Sequence, residues 1–225
     1  MDKRFFVLDS FRGIAAISVV IFHMHVTNSI GELSFFRSSG LFVDFFFILS
    51  GFVIAHSYNK IINFKEFLIK RTFRLYPLHI FMFLVFFILE LAKKYAHEIG
   101  YSFNKIPFSG TTSLTEIIPN LLFLQSWSPY FETLSWNAPS WSLSIEYYTY
   151  ILFSATIIFF NKNKYISWIF IALISLILIA IKFNHFLEVQ RGLSCFFTGC
   201  LLSIIHEKSK FVFEKFSYFS MSFIE

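Results

Sequence analysis

Residues 165–181 read YISWIFIALISLILIAI, seventeen positions in a row without an acidic or basic side chain. A helix needs about 20 mainly apolar residues to cross the hydrocarbon core of a bilayer, and a run half as long reads as an ordinary core helix. Asn161-Lys162-Asn163-Lys164 precedes the run and Lys182 follows it, so charge begins where the apolar stretch ends. Five other stretches meet or approach the same length, at 12–30, 41–59, 75–92, 141–160 and 190–206. The expectation is an all-α polytopic transmembrane bundle of six spans. Composition points the same way: 56% of the 225 residues are hydrophobic, 35 are Phe, and only 15% are charged. A water-soluble domain keeps its surface wet with about 25% charged residues. No polar linker divides the chain, so residues 1–225 read as a single membrane-embedded domain.

Charge sets an orientation. Lys3, Arg4 and Arg12 lie at the N-terminus, and Lys60, Lys65, Lys70, Arg71 and Arg74 stand against one Glu66 in the 60–74 connection. Lys162 and Lys164 follow, and the tail carries Lys208, Lys210 and Lys215. These segments alternate with connections where basic residues are fewer or matched by acids, which places the N-terminus and every basic loop in the cytoplasm. The net charge of +5 is thereby assigned to the membrane surface rather than to nucleic acid. Asp9 and Arg12 interrupt the first apolar stretch, and no small-residue cleavage site follows, so it is an uncleaved helix rather than a signal peptide. Residues 117–127 (IIPNLLFLQSW) are too short to span and read as an interfacial or re-entrant segment. Trp127, Trp136 and Trp141 are expected at the outer interface. Cys195 and Cys200, five apart, fall on different faces of a helix, so neither a disulfide nor a metal site is expected. The five prolines, at 77, 107, 119, 129 and 139, are expected in loops or at helix ends, with Pro77 in the first turn of the third span.

Ionisable side chains inside a span cost several kcal/mol and mark function by default. Arg12 and His23 are eleven residues apart, three turns plus about 20°, so they share one helix face with a rise of about 16 Å. His25 points about 200° away. Asp44 in LFVDFFFILSGF and Glu146 in WSLSIEYY are both expected in the outer half of the membrane, at depths that His23 approaches. A His oriented by a carboxylate is a general base suited to neutral pH. Spacing alone leaves open whether these groups transfer a proton or fasten helices together. Arg71 and Arg74, three apart, share a helix face where their forks match phosphate oxygens, or where they anchor the cytoplasmic interface.

Read together, these stretches resemble the bacterial membrane-bound acyltransferase family three, which includes O-acetyltransferases of surface polysaccharides. Leu8-Asp9-Ser10-Phe11-Arg12-Gly13 with Phe22-His23 looks like its opening signature, and Val43 through Phe52 is similar to its second-helix motif. Arg71-Thr72-Phe73-Arg74-Leu75-Tyr76-Pro77, Trp141 through Tyr148, and Arg191 through Gly199 match further motifs in order. The resemblance implies acyl-CoA, with acetyl-CoA expected, as donor substrate and no permanently bound cofactor. It implies Arg12, Arg71 and Arg74 at the donor's phosphates, and His23 as the catalytic residue. The acceptor it implies is a carbohydrate or a lipid-linked glycan, modified at the bacterial inner (cytoplasmic) membrane. Two departures stand out: only one acid carries over where the family shows a pair, here Glu146-Tyr147, and the family has about ten helices. The chain is therefore expected to be incomplete at its C-terminus. Two rival readings are a proton-coupled transporter using His23, Asp44 and Glu146 as a relay, and a remnant without activity.

Overall fold

The computed structural model describes residues 6–24, 33–58, 63–183 and 186–221, with side chains described from 10 to 209 within those ranges. Lys3, Arg4, His25 and Lys60 lie outside the described residues, as do the side chains of Lys210 and Lys215. Among the described residues all regular structure is helical. The elements are α1 (Phe6–His23), α2 (Ser34–Arg37), α3 (Leu41–Ser57), α4 (Phe64–Glu98), α5 (Ile117–Leu121), α6 (Trp141–Phe160), α7 (Lys164–Ala180) and α8 (Leu187–Met221). Each of the six apolar stretches overlaps one of the helices α1, α3, α4, α6, α7 and α8, and residues 25–30 of the first stretch lie outside the described residues. Among the described residues, Phe64–Glu98 and the helical stretch Ala138–Ala180 are long and apolar enough to cross a membrane, while Ser10–His23 and Leu41–Ser57 are shorter apolar helices.

Large apolar side chains lie on the outside of α4 and α6, and polar side chains lie among apolar ones within. On α4, Phe73, Leu78, Phe81, Leu84 and Ile88 are exposed, while His79 is buried. On α6 the buried set includes Ser144, Thr149, Ser154 and Thr156, whereas Phe159 is 79% exposed. A helix dissolved in water shows the reverse arrangement. In hydrocarbon the helix is the favoured form because it satisfies every backbone N–H and C=O internally.

The chain forms two compact units. One holds Met1–Asn59, Tyr165–Leu173 and Ser194–Glu225; the other holds Lys60–Lys164 and Ile174–Leu193. In the first, α1 packs on α3, and α3 crosses α8 with almost no space between backbones. A Cβ added at Gly51 would lie 1.9 Å from the Phe196 carbonyl oxygen, and one at Gly199 would lie 1.9 Å from that of Ile48. Each glycine therefore faces the carbonyl three residues before the other glycine, the arrangement by which small residues let membrane helices touch. Further along, Phe52 meets His206, and His56 lies 3.5 Å from Glu207. The two helices thus run parallel. Cys200 is buried at this crossing with its thiol 3.5 Å from the Gly51 carbonyl, and Cys195, half-buried, is not in a disulfide.

In the second unit α4 and α6 run antiparallel, with Phe67 against Tyr150 and Phe153, and Thr72 Oγ1 3.2 Å from the Tyr147 hydroxyl. Two expectations are corrected here. Pro77 lies thirteen residues inside α4, not in its first turn, because the helix begins at the basic segment, capped by Asn63 accepting the Glu66 N–H. Proline costs the carbonyl four residues earlier its helical donor, a loss tolerated within a protein-lined bundle. Pro119, moreover, lies within α5.

Candidate active site

In the second unit the segment between α4 and α6 returns along α4 before α6 begins. The Tyr76 hydroxyl donates to the Leu121 carbonyl, His79 Nε2 donates to the Asn120 carbonyl at 2.9 Å, and Trp136 packs against Phe83 and Phe87. The irregular backbone is held by polar bonds of nearly constant offset. Asn120 Nδ2 donates to the Ser135 carbonyl (2.9 Å), Gln125 Nε2 to the Ser140 carbonyl (3.4 Å), and Ser126 Oγ to the Trp141 carbonyl (3.2 Å). Trp127 Nε1 donates to the Ser144 carbonyl, and Ser144 Oγ to that of Phe123. Buried polar groups demand such partners. Trp136 is buried to 4% exposure inside this layer.

The return path moves the carboxylate. With α6 starting opposite the Tyr76–His79 level of α4, Glu146 comes level with Arg71 rather than far from it along the pair. Arg71 lies with its guanidinium carbon 5.3 Å from the Phe67 ring centroid and 5.4 Å from that of Tyr150. The Tyr150 hydroxyl in turn donates to Glu146 Oε1. A cation on the ring face and a carboxylate on the ring edge are therefore joined through one fully buried tyrosine. Tyr150 was not among the residues singled out from the sequence, although its spacing of four from Glu146 places both on one face of α6. Arg74, expected to act with Arg71, is exposed while Arg71 is half-buried against α6. Spacing of three turns the two by about 60°, enough to separate a packed side chain from a free-standing one.

The first unit holds Arg12, His23 and Asp44. Arg12 is half-buried and His23, the last residue of α1, is exposed, its ring edge-on to Phe22 at 5.1 Å. Both flank the buried stripe formed by Ala15 and Ser18. Asp44 is half-buried in the first turn of α3, the helix on which α1 packs, where a carboxylate suits the helix dipole. Among the described residues, no hydrogen bond joins the His23 ring to Asp44.

A family described as an acyltransferase domain matches residues 6–224. The acyltransferase MdmB of Streptomyces mycarofaciens is 35% identical over 112 residues, covering 49% of this chain and 26% of that protein. Protein 2 in the picA locus of Rhizobium radiobacter is 45% identical over 83 residues, covering 35% of this chain and 41% of that protein. The matches thus span between about a quarter and two fifths of the curated relatives' own length. No solved structure matches.

Proposed function

The chain belongs to this acyltransferase family, and from that premise we propose that it transfers an acyl group, acetyl by preference, from acyl-CoA to a hydroxyl of a surface glycan or its lipid-linked precursor. The observation that carries the reading is the Arg71–Tyr150–Glu146 cluster, a half-buried cation and a carboxylate fixed by one tyrosine, on helices that also present long apolar faces. In this reading Arg71 holds a donor phosphate through its guanidinium fork, and Arg74 and Arg12 contribute further positive charge to the donor. His23 takes the proton of the acceptor hydroxyl as its oxygen attacks the thioester carbonyl. The C–S bond then breaks, and the leaving CoA sulfur takes the proton back from the His23 imidazolium to depart as the thiol. Asp44 on α3 and Glu146 on α6 are the acids of this reading, and the Tyr150 hydroxyl donates to Glu146. The glycan acceptor is carried by the resemblance of the sequence motifs.

The donor assignment has a direct test. Arg71→Ala should weaken acyl-CoA binding by about tenfold, the loss of one desolvated charge-assisted contact. Arg71→Lys should restore little of it because the fork and the stacking on Tyr150 are both lost. Arg74→Ala, at an exposed position, should cost less. Unchanged binding of acyl-CoA to Arg71→Ala protein would assign the arginine to helix packing alone.

We place the chain in the inner membrane with its N-terminus in the cytoplasm and six spans. The parallel run of α3 and α8 supports this, since two helices crossing in the same direction require an odd number of crossings between them, and α4, α6 and α7 supply three. Reporter fusions at Lys105 and Lys162 should read outside and inside respectively. A cytoplasmic reading at Lys105 overturns the topology.

A further inference from the structure

A cavity of about 450 Å³ lies beside the C-terminal end of α4. It is about 34 Å along the helix from Arg71, from the 23-residue separation of Lys94. Its volume falls within the range of about 300–1,000 Å³ typical of small-molecule sites. The walls are apolar, formed by Phe87, Leu91, Pro107, Phe108 and Leu114, and the rim carries Lys94, His97 and Glu98.

The cavity is built rather than left over. Its far wall is pinned to α4 by Glu90, whose Oε2 accepts the Phe108 N–H at 2.9 Å while Oε1 accepts from Lys93 at 3.2 Å. The Glu90 side chain is only 12% exposed. Phe108 is held at φ 55°, a left-handed conformation unfavourable for a bulky residue, and its ring packs on Phe87 and Trp136. A wall fixed at that cost is pre-organised for an occupant.

Charge at the rim tells the occupant's head group. Lys94 and Glu98, on successive turns, are loosely paired at 4.0 Å, so both remain available. His97 Nδ1, 3.2 Å from the Tyr101 carbonyl, must donate to it, which leaves Nε2 as an acceptor in the neutral ring. One ammonium donor beside two acceptors complements a head group bearing a phosphate and a primary amine. We propose that this cavity holds one acyl chain of an ethanolamine-type phospholipid, with the phosphate on Lys94 and the amine on Glu98 and His97. The site rests on the membrane placement above and is independent of the transferase chemistry.

Trp136 supplies the readout, because its ring lies 5.7 Å from Phe87 and 6.2 Å from Phe108, both in the cavity wall. The purified full chain would be placed in phosphatidylglycerol vesicles containing rising fractions of chain-brominated phosphatidylethanolamine or, separately, chain-brominated phosphatidylglycerol. The ethanolamine lipid should give a saturable quenching component, absent from Trp136→Phe protein. Its half-saturation should rise about threefold in Glu98→Gln and in Lys94→Gln, the loss of one partly solvated charged contact. Leu91→Phe, which fills the cavity, should reduce its amplitude. Equal, unsaturable quenching by both lipids, unchanged in all variants with native helical content, would reduce the cavity to bulk chain partitioning and overturn the proposal. Stronger competition by an alkyl phosphate, lost in Lys94→Gln but kept in Glu98→Gln, would overturn the ethanolamine assignment in favour of an anionic amphiphile. Release of the chain from native membranes by alkaline carbonate would remove the membrane premise instead, so the two failures are distinguishable.

Discussion

Gly51→Val and Gly199→Val are each expected to abolish recovery of folded, monodisperse protein from membranes, whereas Gly13→Ala and Gly40→Ala leave it near the unmutated level. A Cβ at Gly13 or Gly40 meets nothing within 4 Å, but at Gly51 and Gly199 it meets a backbone carbonyl oxygen at 1.9 Å. Overpacking against side chains costs about 1–3 kcal/mol, because rotamers give way. A backbone oxygen in a helix has no rotamer, so α3 and α8 must move apart along their whole crossing, and the cost exceeds about 3 kcal/mol. Alanine at either glycine should give a graded, partial loss. Fluorescence-detected size exclusion and thermal unfolding of each variant measure the effect. If Gly51→Val protein elutes as a single peak with Tm within about 2 °C of the unmutated chain, the crossing is not a determinant of the fold.

How much of this was legible beforehand depends on which residues did the arranging. The six apolar stretches, read by length alone, each overlap a helix though not with its bounds, because helix formation in an apolar solvent follows from backbone satisfaction and needs no knowledge of neighbours. The start of α4 is also written in the sequence: Asn63 with Glu66 three residues on is a capping pattern, although the long apolar run begins only further along. Pro77 then drew the boundary to the wrong place. The position of Glu146 was out of reach. It follows from the return of the 117–140 segment along α4, and that path is fixed by pairs such as Asn120–Ser135 and Gln125–Ser140, which no periodicity announces. Gly51 and Gly199 were readable as members of motifs, yet their reciprocal contact joins residues 148 positions apart. For Arg71 and Arg74 the spacing was read correctly as one side of a helix, and only packing distinguishes the residue lying on Tyr150 from the exposed one.

His23→Ala should lower acyl transfer by roughly 10² to 10⁴, the contribution of a positioned general base, with protein yield and acyl-CoA binding retained. His23 stands on the Arg12 line of α1 and is exposed, so its removal opens no buried cavity and a loss of rate cannot be assigned to unfolding. His25→Ala should cost little. The acids should behave differently from the base: Asp44→Asn and Glu146→Gln lower the rate less completely, as groups that act through a neighbour do. Tyr150 sharpens the distinction, since its hydroxyl is the donor seen on Glu146. Tyr150→Phe and Glu146→Gln should each lower the rate, and the double variant should lose little more than either alone, because both remove the same bond. Transfer of labelled acetyl from acetyl-CoA to a polysaccharide acceptor, by membranes carrying each variant at matched protein level, is the measurement. Full activity in His23→Ala removes the base from the mechanism. Additive losses in the Tyr150→Phe, Glu146→Gln pair would mean that the tyrosine supports Arg71 and not the carboxylate.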